Sequence, residues 1–472
     1  MPIESLPIAR PTQGVRARLA IVASVIVLGI SCPALSAAQH VTADTPSAPS
    51  AVHLTLHTAV QMALRHNREI ELAHLAVKQT ETQKKLAESH FYPILKNESA
   101  ILHITELQGV AIPAGALGQT TTGLLPPVNL TIDQGAATSY TSGTELAQPL
   151  TQLFKIKAGV KAADADVQSA RIQSKDAENG IAILIHKLYY GILIEQSRRS
   201  AAQDAVSAAT VVEEETKRNV DEGKLLADTE LLARTDLLNK QQAALVSRLE
   251  LDDLVLQLDD ALGLPFGTHL VLDPVATESE ISLPAREEAV VLILANNPTV
   301  LSARQTVEKA KAGVMAARDE YIPDVTGIAR YSYQSGVPFL VHNFGTFGVI
   351  VTYNLFDGGG REARLRDART KVSMAQIQLA QAEDTVRVDI SSAYDKIEQL
   401  RELVDVTTQA LQAREESLRI LSERSKVDAQ LSSAVATARA AVTSAQADAL
   451  NTRLNLYLVQ ADIQRKLGRL PQ

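Results

Sequence analysis

The sequence predicts a mainly α fold with a small β part, in which one unit of helix, strand, strand, long helix and helix is written twice. The first observation is the repeat itself. Residues 59–93 (AVQMALRHNREIELAHLAVKQTETQKKLAESHFYP) align with residues 289–323 (AVVLILANNPTVLSARQTVEKAKAGVMAARDEYIP) without a gap, at an offset of 230. Ala59, Val60, Asn67, Ala73, Val77, Ala87 and Pro93 fall on Ala289, Val290, Asn297, Ala303, Val307, Ala317 and Pro323. Phe154 answers Phe356, Tyr190 answers Tyr394, and Leu262-Gly263 answers Leu467-Gly468, where the offset has shrunk to 205. An internal repeat of this length governs every later inference about fold. The second observation is a seven-residue apolar period in long proline-free stretches. The third is period-two alternation after each matched proline.

In chain order, residues 1–38 read as a secretory signal peptide. Arg10, Arg16 and Arg18 form a basic start, and Leu19 to Ile30 is an apolar run too short to span a bilayer. Ser36-Ala37-Ala38 fits cleavage after Ala38. Gly29-Ile30-Ser31 fits a lipoprotein box before Cys32 poorly, so the mature chain is expected to hold no cysteine and no disulfide. Residues 39–52 read as a flexible leader. No later run approaches eighteen apolar residues, which leaves a secreted chain either soluble or an outer-membrane barrel.

The first repeat is expected over 53–264 and the second over 284–469, with a linker at 265–283. Each opens with a helix of about thirty residues that ends at Pro93 or Pro323, because a helix usually stops before proline. The strands are expected at about 94–107 and 138–150, then at about 324–335 and 344–356. Between the first two lies a loop, 108–137, rich in Gly, Pro and Thr. From Phe154 to Val220 there is no proline, which allows roughly 100 Å of helix. Val160, Ala163, Val167 and Ala170 step by 3, 4 and 3. Leu237, Ala244, Leu251 and Leu258 recur every seven, as do Val435, Val442, Ala449, Leu456 and Ile463. A sustained seven-residue period means left-handed coiled-coil packing.

The strands alternate. Val325, Gly327, Ala329, Tyr331 and Tyr333 share one face, and Thr326, Arg330, Ser332 and Gln334 share the other, with Ile328 as the exception. Phe347, Val349, Val351, Tyr353 and Leu355 share a face of the next run. In the first copy Ala100, Leu102 and Ile104 alternate with Ser99, His103 and Thr105, and Ile101 breaks the pattern. Residues 321–356 hold eight of the seventeen aromatics, a concentration that suits a lipid interface with polar residues facing a lumen. An ordinary half-buried antiparallel sheet fits the alternation as well.

The stretch F-D-G-G-G-R-E, from Phe356 to Glu362, is not a phosphate loop, since it lacks the spacing and the Lys-Ser or Lys-Thr ending. Gly358, Gly359 and Gly360 instead let the backbone leave a strand and enter a helix, with Asp357 as an acceptor near the helix start. Pro93 and Pro323 make the opposite joint. Four strands that feed long helices cannot close a barrel alone. If they lie in lipid, several chains must share one barrel.

Several chemistries are set aside. A net charge of −8 and a pI near 5.8 are no footprint for nucleic acid. His53 and His57 are four apart, as zinc ligands on one helix face can be, but no third ligand is visible. Glu213-Glu214-Glu215 reads as a solvated helix face. No nucleophile arrangement, catalytic residue, metal site or cofactor is expected.

At this point the chain resembles the outer membrane efflux protein family, the TolC-like export ducts. The residues that carry the resemblance are Leu54–Asn67 (LTLHTAVQMALRHN), its echo ending Ala295-Asn296-Asn297-Pro298, Gln148–Phe154 (QPLTQLF), Tyr353–Gly359 (YNLFDGG) with Arg361, and the two Leu-Gly ends. The resemblance implies a homotrimer in outer-membrane lipid, whose four antiparallel strands per chain form one shared trimeric barrel and whose coiled-coil helices form a periplasmic tunnel. It implies a passive conduit of a tripartite efflux or secretion system, with a periplasmic adaptor protein and an inner-membrane pump as partners. It places adaptor docking at two helical turns, with Gly223, Lys224, Leu225 and Leu226 in the first and Val427, Asp428 and Leu431 in the second. Asp428 stands where the family commonly has glycine. The candidate periplasmic gate is Asp228, Ala434 and Thr437; the last two stand where some members carry aspartates. A soluble periplasmic coiled-coil scaffold is the rival, and it leaves the strands and the aromatic cluster without a role.

Overall fold

The computed structural model describes residues 52–105, 109–132, 138–273, 281–336, 341–426 and 431–467. The expected signal peptide and almost all of the leader lie outside these residues, as do Val427, Asp428 and Gly468.

Each repeat opens with two helices where one was expected. Strand β1 (Val52–Leu54) leads into α1 (Leu56–His66) and α2 (Arg68–Ser89). The break is Asn67, whose backbone is extended (φ −72°, ψ 128°) and whose Oδ1 accepts the Glu69 N–H at 2.9 Å. Its Nδ2 also donates to the Ala261 carbonyl, pinning the corner to the end of a distant helix. The matched Asn297 does the same in the second copy, accepting from the Thr299 and Val300 N–H groups. Asparagine is a strong N-cap, and here the cap outweighs an apolar period that runs on through it.

The first copy continues with β2 (Ile94–His103) and four short strands, β3 (Val110–Ile112), β4 (Gln119–Thr120), β5 (Gly123–Leu124) and β6 (Leu130–Ile132). The expected loop thus carries two small ribbons, β3 with β6 and β4 with β5. Then come β7 (Thr138–Pro149), the 69-residue α3 (Leu153–Asp221) and α4 (Ala227–Leu262). A third short strand pair was not foreseen: β8 (Leu270–Leu272), in the linker, runs parallel to β1. His53 therefore sits in a strand and His57 in α1, where it bonds Gln61, so the two do not share a helix face. The second copy is α5 (Arg286–Asn296), α6 (Pro298–Asp319), β9 (Asp324–Ser335), β10 (Asn343–Thr352), the 66-residue α7 (Gly360–Ser425) and α8 (Ser432–Lys466).

Helix α3 packs on α2, α4, α6 and α8, and α7 packs on α6 and α8. The seven-step positions are the inner seam. Leu251, Leu258, Val442, Ala449 and Ile463 are buried, and Leu237, Ala244, Val435 and Leu456 are half-buried. Burying each leucine or isoleucine contributes roughly 1.5–3 kcal/mol. The larger core joins Ile185, Tyr189, Tyr190 and Ile192 of α3 with Leu258 and Leu262 of α4 and Tyr457 and Ala461 of α8. A smaller one joins Ile293, Val300, Ile390, Ile397, Ile463 and Leu467.

One landmark pairing needs correction. Tyr189, not Tyr190, is the partner of Tyr394. The Tyr189 hydroxyl lies 3.0 Å from the Leu54 carbonyl and 2.7 Å from that of Asp273, and Tyr394 donates to Pro284 at 2.7 Å. Leu54 and Pro284 are 230 apart, and Tyr189 and Tyr394 are 205 apart, the two offsets of the repeat. The hydroxyl supplies a donor to a backbone carbonyl two residues ahead of α1 or α5, which is the physical need the two tyrosines share.

Candidate functional site

The four long strands form one antiparallel sheet in the order β10, β9, β7, β2. Each is 10 or 12 residues long, near the 9–11 that cross a bilayer when tilted. Among the described residues, β2 and β10 each pair on one side only. Strand β2 stops at His103, opposite Thr138, where β7 begins, short of the expected 107. Strand β10 stops at Thr352, so Tyr353–Phe356 is not strand as expected. Its partner β9 begins at Asp324, opposite Thr352, just after Pro323, and beyond that point the Arg361 guanidinium donates to the Asn354 carbonyl and the Tyr353 hydroxyl, both at 2.8 Å.

Register decides which side chains share a face. Glu145 stands opposite Arg330 on one side and Lys96 on the other. By the same pairing, Glu98 and Asp324 join them, along with Thr326, Ser332 and Gln334. Every Asp, Glu, Lys and Arg of the four strands is on this face. The opposite face carries Val325, Tyr331, Tyr333, Phe347, Val349 and Val351. On β2 and β7 it carries Asn97, Ser99, Ser142 and Thr144, which bond one another. The first-copy alternation is out of phase with the second: Ala100 and Leu102 fall on the charged face and Ser99 and His103 on the other. Charge is the stronger guide. A Lys or Arg at the bilayer midplane costs about 2–4 kcal/mol, whereas hydroxyls and amides that satisfy each other cost less.

At the joint, Gly358 (φ +65°) and Gly359 (φ +84°) occupy left-handed backbone that a side chain would strain. Asp357 accepts from the Arg361 N–H at 2.8 Å and the Gly359 N–H at 3.2 Å. The Arg361 N–H bond, with Arg361 and Arg364 adding positive charge, holds the Asp357 carboxyl below the usual carboxylate range. The Arg361 guanidinium lies over the rings of Tyr353 and Tyr321, at 4.9 and 5.5 Å. Gly360 begins α7 itself. Pro93 and Pro323 each stand just before a strand, and the Thr151 hydroxyl donates to the Pro323 carbonyl at 2.6 Å. A cleft of about 320 Å³ lies here between Lys155, Glu320, Asp324, Asp357 and Arg364. Lys155 pairs with Asp324 and Arg364 with Glu320, so its charges are spent on one another.

At the far end of α3, Gly223 (φ +73°) turns the chain, and the Lys224 and Leu225 N–H groups both donate to the Asn219 carbonyl. Lys224 pairs with Glu222. Leu225 and Leu226 are exposed, Leu226 by 75%. Asp228 is exposed in the first turn of α4. Leu431 and Ala434 are half-buried, and Thr437 is exposed with its hydroxyl turned back to the Ser433 carbonyl. These residues stand on the ends of α4 and α8, both of which pack on α3.

Long helix hairpins run here into an open sheet of membrane-spanning length with all its charge on one face. The profile of the family described as outer membrane efflux protein matches residues 59–264 and again 289–469. The chain therefore belongs to the outer membrane efflux protein family. It is 23% identical to the "Probable outer membrane lipoprotein SilC" of Salmonella typhimurium, over 77% of this chain and 74% of that one. It is also 23% identical to the outer membrane efflux protein BepC of Brucella suis, over 68% and 70%. Its fold matches the outer membrane protein VceC of Vibrio cholerae with a TM-score of 0.65, at 19% identity, over 88% of this chain and 96% of that one.

Proposed function

We propose that three copies of this chain share one barrel and that their helices wall a tunnel carrying solutes from periplasm to exterior without energy of its own. The open sheet carries this reading. Four strands are half of the smallest bacterial barrel, and β2 and β10 each leave a row of unpaired backbone groups. Hydrocarbon does not tolerate such edges, so other chains must cover them. In this reading residues 1–38 are removed on export, 39–52 form a leader, and 108–137 lies outside the cell.

The turn at Gly223 and its partner at Val427, Asp428 and Leu431 face the periplasm and dock an adaptor, with the exposed Leu225 and Leu226 as the apolar contact. An inner-membrane pump joined by that adaptor supplies the energy, and the chain itself catalyses nothing. Asp228, Ala434 and Thr437 line the narrow end. Two experiments test this independently of cargo. A chain carrying two cysteines, one on β2 and one on β10, should give disulfide-linked ladders between chains that stop at three; a ladder of another length or none rejects the shared barrel. A photo-crosslinker at Leu226 in living cells should capture a periplasmic adaptor, and capture of other copies of this chain alone rejects the docking role.

A further inference from the structure

Every strand charge on the lumen-assigned face has an opposite partner. Lys96 Nζ lies 3.5 Å from Glu98, Arg330 lies 3.6 Å from Glu145, and Asp324 lies 2.9 Å from Lys155 of α3. Lys96, Glu145 and Arg330 stand abreast on three neighbouring strands. The Arg330 side chain does not rise from the sheet. It bends across Gly143, where a Cβ would sit 2.6 Å from Nη2 and 2.7 Å from Nε. Gly143 has no turn to make, because it stands mid-strand opposite Glu98 and Ser332. A glycine in a strand interior weakens the strand, and close approach by another group is one reason to find it there.

We propose that Gly143 and Glu145 hold Arg330 flat and neutralised against the wall, making a charge-balanced belt that passes solutes of either sign, with Arg330 as the residue whose release gives the lumen a charge preference. Two cations and two anions per chain cancel within the belt. Glu145 is the pivot, since it stands between Lys96 and Arg330. Its loss leaves two cations to one anion. Loss of the Arg330 charge has the opposite sign. A methyl group at Gly143 meets only the mobile end of a long side chain, so Arg330 moves and the strand stays. Selection among cargoes by charge then belongs to the pump side of the assembly, not to this segment.

The proposal rests on the charged face being the lumen, and the test separates the two. Ser332→Cys places a thiol on that face opposite Gly143, in a chain whose own Cys32 precedes the expected cleavage site. Membrane-embedded protein is treated with cationic and anionic methanethiosulfonate reagents, with Thr122→Cys in the long loop as the exposed reference. With the belt intact, both reagents should react at rates within about threefold of each other. Glu145→Gln should raise the anionic-to-cationic rate ratio on the order of tenfold, as an unbalanced charge several ångströms away does in a wet site. Arg330→Gln should move it the other way, and Gly143→Ala should move it in the Glu145→Gln direction by less. If Thr122→Cys reacts and Ser332→Cys reacts with neither reagent, the lumen assignment fails and the belt with it. If Ser332→Cys reacts but the ratio is the same in all variants that reach the membrane, the lumen stands and the belt is overturned.

Discussion

Tyr189 and Tyr394 stand at equivalent places in the two repeats, yet only the first is sealed from water. Tyr189 is 1% exposed and meets the Tyr190 ring edge-on at 6.1 Å; Tyr394 is half-buried beneath Arg286. Around the first, His186 stacks on Tyr457 at 6.0 Å, and Tyr190 meets Tyr457 edge-on at 5.4 Å. At the 205 offset, the second copy has Ser391 in place of His186, and the residue matched to Tyr457 is Asp252, which is exposed on α4. The duplication preserved the hydrogen bond and not its packing. A backbone carbonyl just ahead of the first helix needs a donor in both copies, whereas the surrounding side chains answer to whichever helix closes over them.

The largest expected effect follows from His186, which is buried, with its Nδ1 unpartnered. Burial lowers its pKa to about 4, below the ordinary 6.5 that the unfolded chain retains. The stabilisation is therefore full above about pH 6.5 and is lost as pH falls from there through 4, by at most about 3 kcal/mol. Thermal unfolding between pH 7.5 and 4.5 should show this slope in the wild-type chain and a flatter one in His186→Phe. Equal slopes would mean the first core holds no such liability.

Next come the two hydroxyls. Burial pushes the Tyr189 phenol up to about 12, so it stays a donor across any useful pH. Tyr189→Phe removes the donor from the part-buried Asp273 carbonyl inside the larger core and should cost about 1–3 kcal/mol, while Tyr394→Phe, nearer water, should cost about 0.5–1.5. Denaturant midpoints of the two variants decide the matter, and the reverse order breaks the comparison.

The joints differ in the same way. In the first copy β7 passes to α3 within three residues, and Phe154 is already helical; in the second, Phe356 precedes the helix by four residues and the chain turns through glycines. Phe154 and Phe356 are thus not structural equivalents. Gly358→Ala or Gly359→Ala should each cost about 1–2 kcal/mol. Gly159→Ala, in a helix interior with nothing within 4 Å, should gain up to about 1 kcal/mol. Last is the asparagine pair. Asn297→Ala should lose about 1 kcal/mol of capping, and Asn67→Ala somewhat more, because Asn67 also holds Ala261.

Much of this was legible beforehand. The absence of proline foretold α3, the repeat then foretold α7, and the seven-step residues foretold the buried seam. Other features were written in the chain but outweighed by a louder pattern. Asn67 and Asn297 were matched in the alignment, and Asn-Pro at 297 is a helix-start signal, yet the apolar period ran through both. The tyrosine register slipped by one because two tyrosines stand side by side, although the 205 offset already favoured Tyr189. The β1–β8 pair had no signal, since three residues cannot show alternation and the partner lies across the whole first repeat. The charged face was visible in β9 alone. In β2, Ile101 and Leu102 stand on opposite faces, and only the pairing with β7 tells which belongs with Arg330.

A four-stranded sheet is too narrow to close on itself. Native mass spectrometry of mature protein released from mild detergent measures this directly: three chains per particle is the result expected. A single chain that keeps its sheet and stays dissolved after the detergent is removed would contradict it.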